Sequence, residues 1–321
     1  MPDTVTAVPA LHRAVLTAAL RAPSAHNAQP WRIRVREDGA YELHYDHHDY
    51  LPADPDDRDA YLCMGAFLET LAIAASREHL RAEITPVFGR DGADLHVADA
   101  RLVEAGDEVD PLALRLVERA TNRSTYTDEP LPTGLVDALT GLGCMLTPTE
   151  QVARIVRRAA VLSWRDRRFV SDLDTWVRDE SSPDGMTRGQ LGLAGYEWLA
   201  LRAAFRLGRL PAPLATVFSG RDIRLLGVAP AVAVLMADSD RPEDLVAAGR
   251  RLLRAWVTIC ANGFGYHPIS IAIDRPETRP AIAALTGAKA GATPVALFRI
   301  GRPTGPAGRS NRISLASALI P

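Results

Sequence analysis

Two Asp-Gly pairs, Asp38-Gly39 and Asp91-Gly92, constrain what this chain can fold into more than any other local feature. Each stands between strand patterns: Trp31 to Val35 and Tyr41 to Tyr45 flank the first, Ala82 to Phe88 and Leu95 to Leu102 the second. Asp-Gly supplies the positive φ that a tight hairpin turn needs, so each pair predicts antiparallel neighbours. Other strand patterns, Ala229 to Ala237 and Pro294 to Ile300, are separated by helical ones, Tyr61 to Ala75 and Glu243 to Cys260 among them. Hairpins mixed with helices predict an α+β layered architecture rather than a doubly wound parallel sheet.

A second unit begins at Pro111, which divides the chain into 1–110 and 111–321. Leu112 to Arg119 reads as a helix, Thr133 to Leu139 as another, and residues 149–180 as strongly helical. Ser181 to Gly192 breaks that run with one proline and three glycines. Residues 193–207 return to a helical pattern, and Pro211 to Asp222 reads as a connector. The whole of 181–222 is an excursion of the kind that forms lids. His267 to Ile273 reads as extended, Glu277 to Leu285 as a short helix, and the tail Gly301 to Arg312 as irregular.

At 321 residues and 47% hydrophobic content the chain can bury one large core or two ordinary ones. A formal net charge of −2 argues against nucleic acid or an anionic membrane as partner. No apolar run reaches the roughly 18 residues that span a bilayer, and the first residues show no signal pattern. The cytoplasm is therefore the expected compartment. Cys63, Cys144 and Cys260 stand in apolar settings and read as buried thiols. Metal binding is not expected. Asp54 to Asp59 resembles a calcium loop but has the wrong residues at the later ligand positions, so it reads as a solvated acidic turn. Strand alternation separates His47 from His44 and His48. The basic runs Arg165 to Arg168 and Arg250 to Arg254 read as solvated helix faces.

Three separated pieces carry chemistry. The first is Ala22 to Trp31, APSAHNAQPW, which joins a helix pattern (Leu11 to Arg21) to the first strand. Pro23 and Pro30 stop the helix, and between them lie a hydroxyl, an imidazole and two carboxamides suited to a flat, polar-edged ligand. The second is Arg119 to Arg123, two arginines four apart with Thr121 and Asn122 between them. The third is Arg309 to Arg312 in the tail. Two arginine–hydroxyl clusters without a glycine-rich phosphate loop suggest a phosphate monoester held by guanidinium forks. No GxSxG, HExxH, Walker or CxxC motif is present.

In this order and spacing, the pieces resemble the nitroreductase-like flavoprotein superfamily and, within it, the actinobacterial Acg-type branch. Ser24, Asn27, Gln29, Pro30 and Trp31 match a PSxxNxQPW loop; Asp54 to Arg58 with Gly65-Ala66 matches a DPxxR…GA stretch. Asp184-Gly185, Gly263 to Ile271 and the arginine tail match further motifs. The resemblance implies a three-layer α/β/α sandwich, two units fused in one chain as a pseudo-dimer, and one FMN between them. It implies that Arg119, Arg123, Arg309 and Arg312 meet the FMN phosphate, helped by Thr121 and Asn122. Ser24, His26, Asn27, Gln29 and Trp31 would hold the ring or ribityl chain, with the amides of Ser270 and Ile271 near the reactive edge. The first unit offers no arginine motif of its own, only His12 and Arg13 lying nearby. The implied activity is hydride transfer from NAD(P)H through FMN to a small aromatic, nitro or quinone acceptor, with no catalytic side chain and with the chain a monomer or homodimer. The competing expectation is FMN storage beneath the lid without turnover.

Overall fold

The computed structural model describes residues 8–46, 54, 56–92 and 94–321. Both hairpins form. β1 (Trp31–Val35) and β2 (Tyr41–Tyr45) pair antiparallel, and so do β3 (Leu80–Asp91) and β4 (Asp94–Glu104). Gly39 (φ 78°) and Gly92 (φ 63°) take the positive φ that each turn requires. These four strands make a sheet in the order β3-β4-β2-β1, with a fifth member from the far end of the chain. A second sheet, β5-β6-β8-β7, is built from Cys144–Thr147, Ala231–Ala237, Thr293–Gly301 and Gly265–Pro268, with β6 and β8 central. The mixed α+β expectation holds.

Each sheet packs on one long helix. Arg58–Arg77 lies against the first sheet through Met64, Phe67, Leu68 and Leu71. Pro242–Ala261 lies against the second through Leu245, Ala248, Leu252 and Trp256. Arg58–Arg77 is long and apolar enough to cross a membrane, but 78% of its apolar window is buried inside the protein. The two helices cross at Gly65 and Gly249, each the eighth residue of a 20-residue helix. A Cβ at 65 would stand 2.1 Å from the Val246 carbonyl oxygen, and one at 249 would stand 2.1 Å from that of Leu62. The contact is reciprocal, and only glycine fits it on either side.

Beside this crossing, Glu69 (3% exposed) accepts from Arg250 (2.6 Å) and Arg254 (2.5 Å), and Arg254 also reaches Asp110 at 2.6 Å. Arg250 and Arg254 therefore bind one helix to the other rather than forming a solvated face. In the acidic turn Asp56 is exposed as expected, but Asp54 and Asp57 are buried. Asp54 is 8% exposed and caps the Arg58–Arg77 helix, accepting from the amides of Arg58, Asp59 and Ala60 at 2.8–3.1 Å. His44 stacks on His96 (centroids 4.6 Å apart) and meets Glu42, which Arg34 already neutralises at 2.9 Å. His47 and His48 lie outside the described residues.

Three segments differ from what the sequence predicts. Leu112 to Arg119 is turns with a single 3-10 turn, Leu116–Glu118, rather than a helix. Pro211 starts a helix, Ala212–Gly227, rather than a connector, and proline is well suited to a first turn whose N–H groups go unused. His267 to Ile273 is extended only to Pro268 and then turns into the short helix Ile271–Asp274. The tail is irregular to Arg312 as expected, and beyond it the chain forms a short helix, Leu315–Ala318, and β9 (Leu319–Ile320), which pairs parallel with β1. Residues 319–320 thus complete the sheet formed by residues 31–104.

Candidate flavin site

A cavity of about 810 Å³ lies between the two long helices, the Ala22–Asn27 loop, the tail and the excursion. The Arg58–Arg77 helix presents Asp59, Leu62, Cys63 and Ala66 to it, at i, i+3, i+4 and i+7 on one face. The excursion forms the opposite wall, larger than 181–222: Phe169, Leu173, Tyr196, Leu201 and Phe218 line it from three helices, Arg167–Trp176, Gly195–Leu207 and Ala212–Gly227.

The loop is strained. His26, Asn27 and Gln29 all adopt positive φ (49°, 58° and 54°), a conformation that costs free energy without glycine. Its carboxamides hold it in place. Asn27 Nδ2 donates to the Gly185 carbonyl (2.9 Å), the Gly185 amide returns a bond to the Asn27 carbonyl (3.0 Å), and Arg312 donates to Asn27 Oδ1 (2.7 Å). Gln29 Nε2 donates to the Pro183 carbonyl (2.8 Å) while its Oε1 accepts from the Ile313 amide (3.0 Å). Asn311 completes the seam by donating to Ser182 at 2.7 Å. The loop, the 182–185 turn and the tail are therefore one sewn unit.

This reassigns several expected ligand contacts. Ser24, His26, Asn27, Arg119, Thr121, Arg123, Ser270, Ile271, Arg309 and Arg312 all line the cavity. Gln29, Trp31 and Asn122 do not. Gln29 is 0% exposed and spends its amide on the seam. Trp31, also 0% exposed, packs on Phe67 with ring centroids 5.2 Å apart. Asn122 donates to the Gly305 carbonyl and accepts from Ser124, shaping the turn behind Arg123. Asn27 faces the cavity, but both ends of its carboxamide are taken.

One end of the cavity is strongly positive. Arg119 (8% exposed) donates to the Tyr266 hydroxyl (2.7 Å) and to the Arg21 carbonyl (2.8 Å). Arg312 bonds Asn27 and the Arg21 carbonyl, and its Nε is buried without an acceptor. Burial, then Arg119 and Arg21, press the Arg312 guanidinium down to about 9. Burial, Arg119 and Arg309 lower Arg21 as well. Among the described residues no carboxylate pairs with Arg21, Arg119, Arg309 or Arg312. Arg21 directly precedes the loop and lines the cavity although nothing in the sequence singles it out. Arg123 donates to the Gln190 carbonyl (3.1 Å); burial first, and then Arg123, lower the His26 imidazole to about 4.

The other end is acidic. The carboxyls of Asp59 and Asp274 line the cavity and make no ion pair among the described residues. Asp274 lines the cavity with Asp59 and Asp54 close by. Burial first, then Asp59 and Asp54, raise the Asp274 carboxyl well above 3.8, against the pull of Arg279 and Arg58. A carboxyl raised in the folded state incurs no penalty below its unfolded pKa and the full penalty above its folded one. Asp274→Asn should therefore raise the melting temperature at pH 8, with the gain shrinking as the pH falls towards 4. Differential scanning fluorimetry at both pH values checks this, and an equal gain at both would show that charge is not its cause.

Two sheets with long helices crossing between them, and a cavity lined by both of those helices, define a nitroreductase-like fold. The crystal structure of a provisionally named nitroreductase from Anabaena variabilis superposes with a TM-score of 0.50 over 94% of this chain and 90% of that one, at 12% identity. A Mycobacterium tuberculosis protein provisionally named an NAD(P)H nitroreductase is 27% identical over 304 residues, 90% of this chain and 84% of its own length. A second, uncharacterized M. tuberculosis protein is 28% identical over 310 residues, 91% of this chain and 86% of its own. No protein-family model matches the chain.

Proposed function

We propose that this chain binds FMN in the central cavity and is an NAD(P)H-dependent oxidoreductase acting on a small aromatic, nitro or quinone-type acceptor. The observation that carries the reading is the unneutralised group Arg21, Arg119, Arg309 and Arg312, including a buried Arg312 Nε with no acceptor. Four guanidinium groups pressed together without a carboxylate are stabilised by a dianion such as a phosphate monoester. The naming of the Mycobacterium tuberculosis relative as an NAD(P)H nitroreductase supports the reaction class. Bound FMN would supply the hydride chemistry. The chain's own share is to hold the phosphate with these arginines, Arg123 and Thr121, to border the ring with Ser24 and His26, and to exclude water. Ser270 and Ile271, whose amides have no acceptor among the described backbone hydrogen bonds, would face the reacting edge. Donors aimed at developing negative charge are the general means of favouring a reduced flavin.

The reciprocal Gly65–Gly249 crossing supports a pseudo-dimer in which each long helix stands where a partner's helix would in a dimer. Free Cys63, Cys144 and Cys260 suit the reducing cytoplasm that we propose as the compartment. One observation favours a second reading, FMN storage: the seam between loop, tail and 182–185 turn holds the excursion against the cavity, where nicotinamide would have to enter. Anaerobic mixing of the FMN-loaded protein with NADH or NADPH separates the two. The oxidoreductase reading expects rapid bleaching of the flavin absorbance by one of them; a spectrum unchanged by both leaves storage.

A further inference from the structure

His267 lies on β7 and lines the cavity, yet the residue is only 6% exposed. Its Nδ1 accepts a hydrogen bond from Arg299 Nε at 3.1 Å. Arg299 is 0% exposed, donates to the Ser124 carbonyl at 2.7 Å, and lies over the Tyr126 ring, 4.0 Å from its centroid. A guanidinium only donates and keeps its charge, so Nδ1 must present its lone pair. A neutral imidazole with a lone pair on Nδ1 carries its proton on Nε2. A second proton would set N–H against N–H and add a cation beside Arg123, Arg299 and Arg221; with burial, these hold the ring neutral. Nε2 has no partner among the described residues and is not sealed from the cavity.

We propose that His267 is a ligand-binding residue, an Nε2–H donor locked in one tautomer by Arg299 and aimed at an anionic oxygen of the molecule in the cavity. Anionic oxygen is the acceptor that suits this corner. Among the described residues, the charged groups that act on the imidazole, Arg123, Arg299 and Arg221, are all cationic, and the carboxylate of Glu197 faces Arg221 at 3.9 Å. The oxygen belongs either to a cofactor phosphate or to an acidic substrate. The proposal rests on the cavity being the ligand site, and its tautomer claim stands whatever the ligand is.

Imidazole 15N NMR on the full chain tests the lock. One Nε2-protonated tautomer of His267, unchanged between pH 5.5 and 8, is expected; an Nδ1-protonated ring, or titration within that range, overturns it. Binding tests the donor, with Trp164 and Trp256 in the cavity wall as fluorescent reporters. His267→Phe should weaken either FMN relative to riboflavin, or benzoate relative to benzamide, by at least about tenfold. The first result assigns the oxygen to the cofactor phosphate, the second to a substrate. His267→Gln, which can accept from Arg299 and donate into the cavity, should retain the affinity. Neither pair changing in folded His267→Phe, or equal losses in the Phe and Gln variants, removes the role. Wild-type protein that binds no FMN would sink the flavin reading and leave the NMR and benzoate measurements to judge His267.

Discussion

Replacing Arg119 and Arg312 together by methionine is expected to weaken FMN binding by ~10²–10⁴-fold while leaving riboflavin binding little changed. Each hydrogen bond from a buried guanidinium to a phosphate contributes roughly 1.5–3 kcal/mol, and two lost together give that range. The comparison with riboflavin matters because the substitution has two opposed effects on the empty protein. It relieves the crowding of Arg21, Arg119, Arg309 and Arg312, and it strips donors from the Arg21 carbonyl, the Tyr266 hydroxyl and Asn27 Oδ1. A melting temperature would mix these effects; the ratio of the two affinities isolates the phosphate. FMN bound as tightly by the double variant as by the wild type would end the assignment of this cluster to a phosphate.

The second large effect concerns the helix crossing. Gly65→Ala and Gly249→Ala are each expected to destabilise the protein by about 3 kcal/mol or more, measured by urea unfolding. A methyl group 2.1 Å from a backbone carbonyl oxygen cannot be met by a rotamer change, so the two helices must separate. Separation also pulls Arg250 and Arg254 from Glu69. Because both substitutions spoil one contact, the double variant should lose clearly less than the sum of the single losses. Gly134→Ala, in a helix with nothing within 4 Å of the new Cβ, is the control and should be neutral or slightly stabilising. Additive losses at 65 and 249 would mean that the two glycines answer separate constraints.

What could be read in the sequence was what local chemistry decides. The Asp-Gly hairpins, the strand Ala231–Ala237 and the two long helices follow from turn residues and apolar periodicity within the segment itself. Arg119, Arg123, Arg309 and Arg312 were legible as clusters, and all four reach the cavity. The failures have a common cause: a distant partner decided the outcome. Asn27 and Gln29 carry the right groups for a ligand, but the 182–185 turn and Ile313 claim them first. Arg21 stands alone in sequence and becomes part of a site only when Arg119 and the tail fold over it. His267 looks like an ordinary strand histidine until Arg299, thirty-two positions away, fixes its tautomer. β9 is two residues long and carries no signal at all; the open edge of β1 creates it.

That tail has a consequence for the order in which a ribosome makes the protein. Arg309, Arg312 and the Ile313 amide all precede β9 by a few residues, and all are needed to finish the arginine end and the seam. Until residues 309–320 have emerged, the first sheet has a bare edge, the strained loop lacks its Arg312 and Ile313 anchors, and the arginine cluster is incomplete. If the cavity holds FMN as proposed, a nascent or truncated chain would compete poorly for it, and occupancy would become a molecular receipt that translation reached this segment.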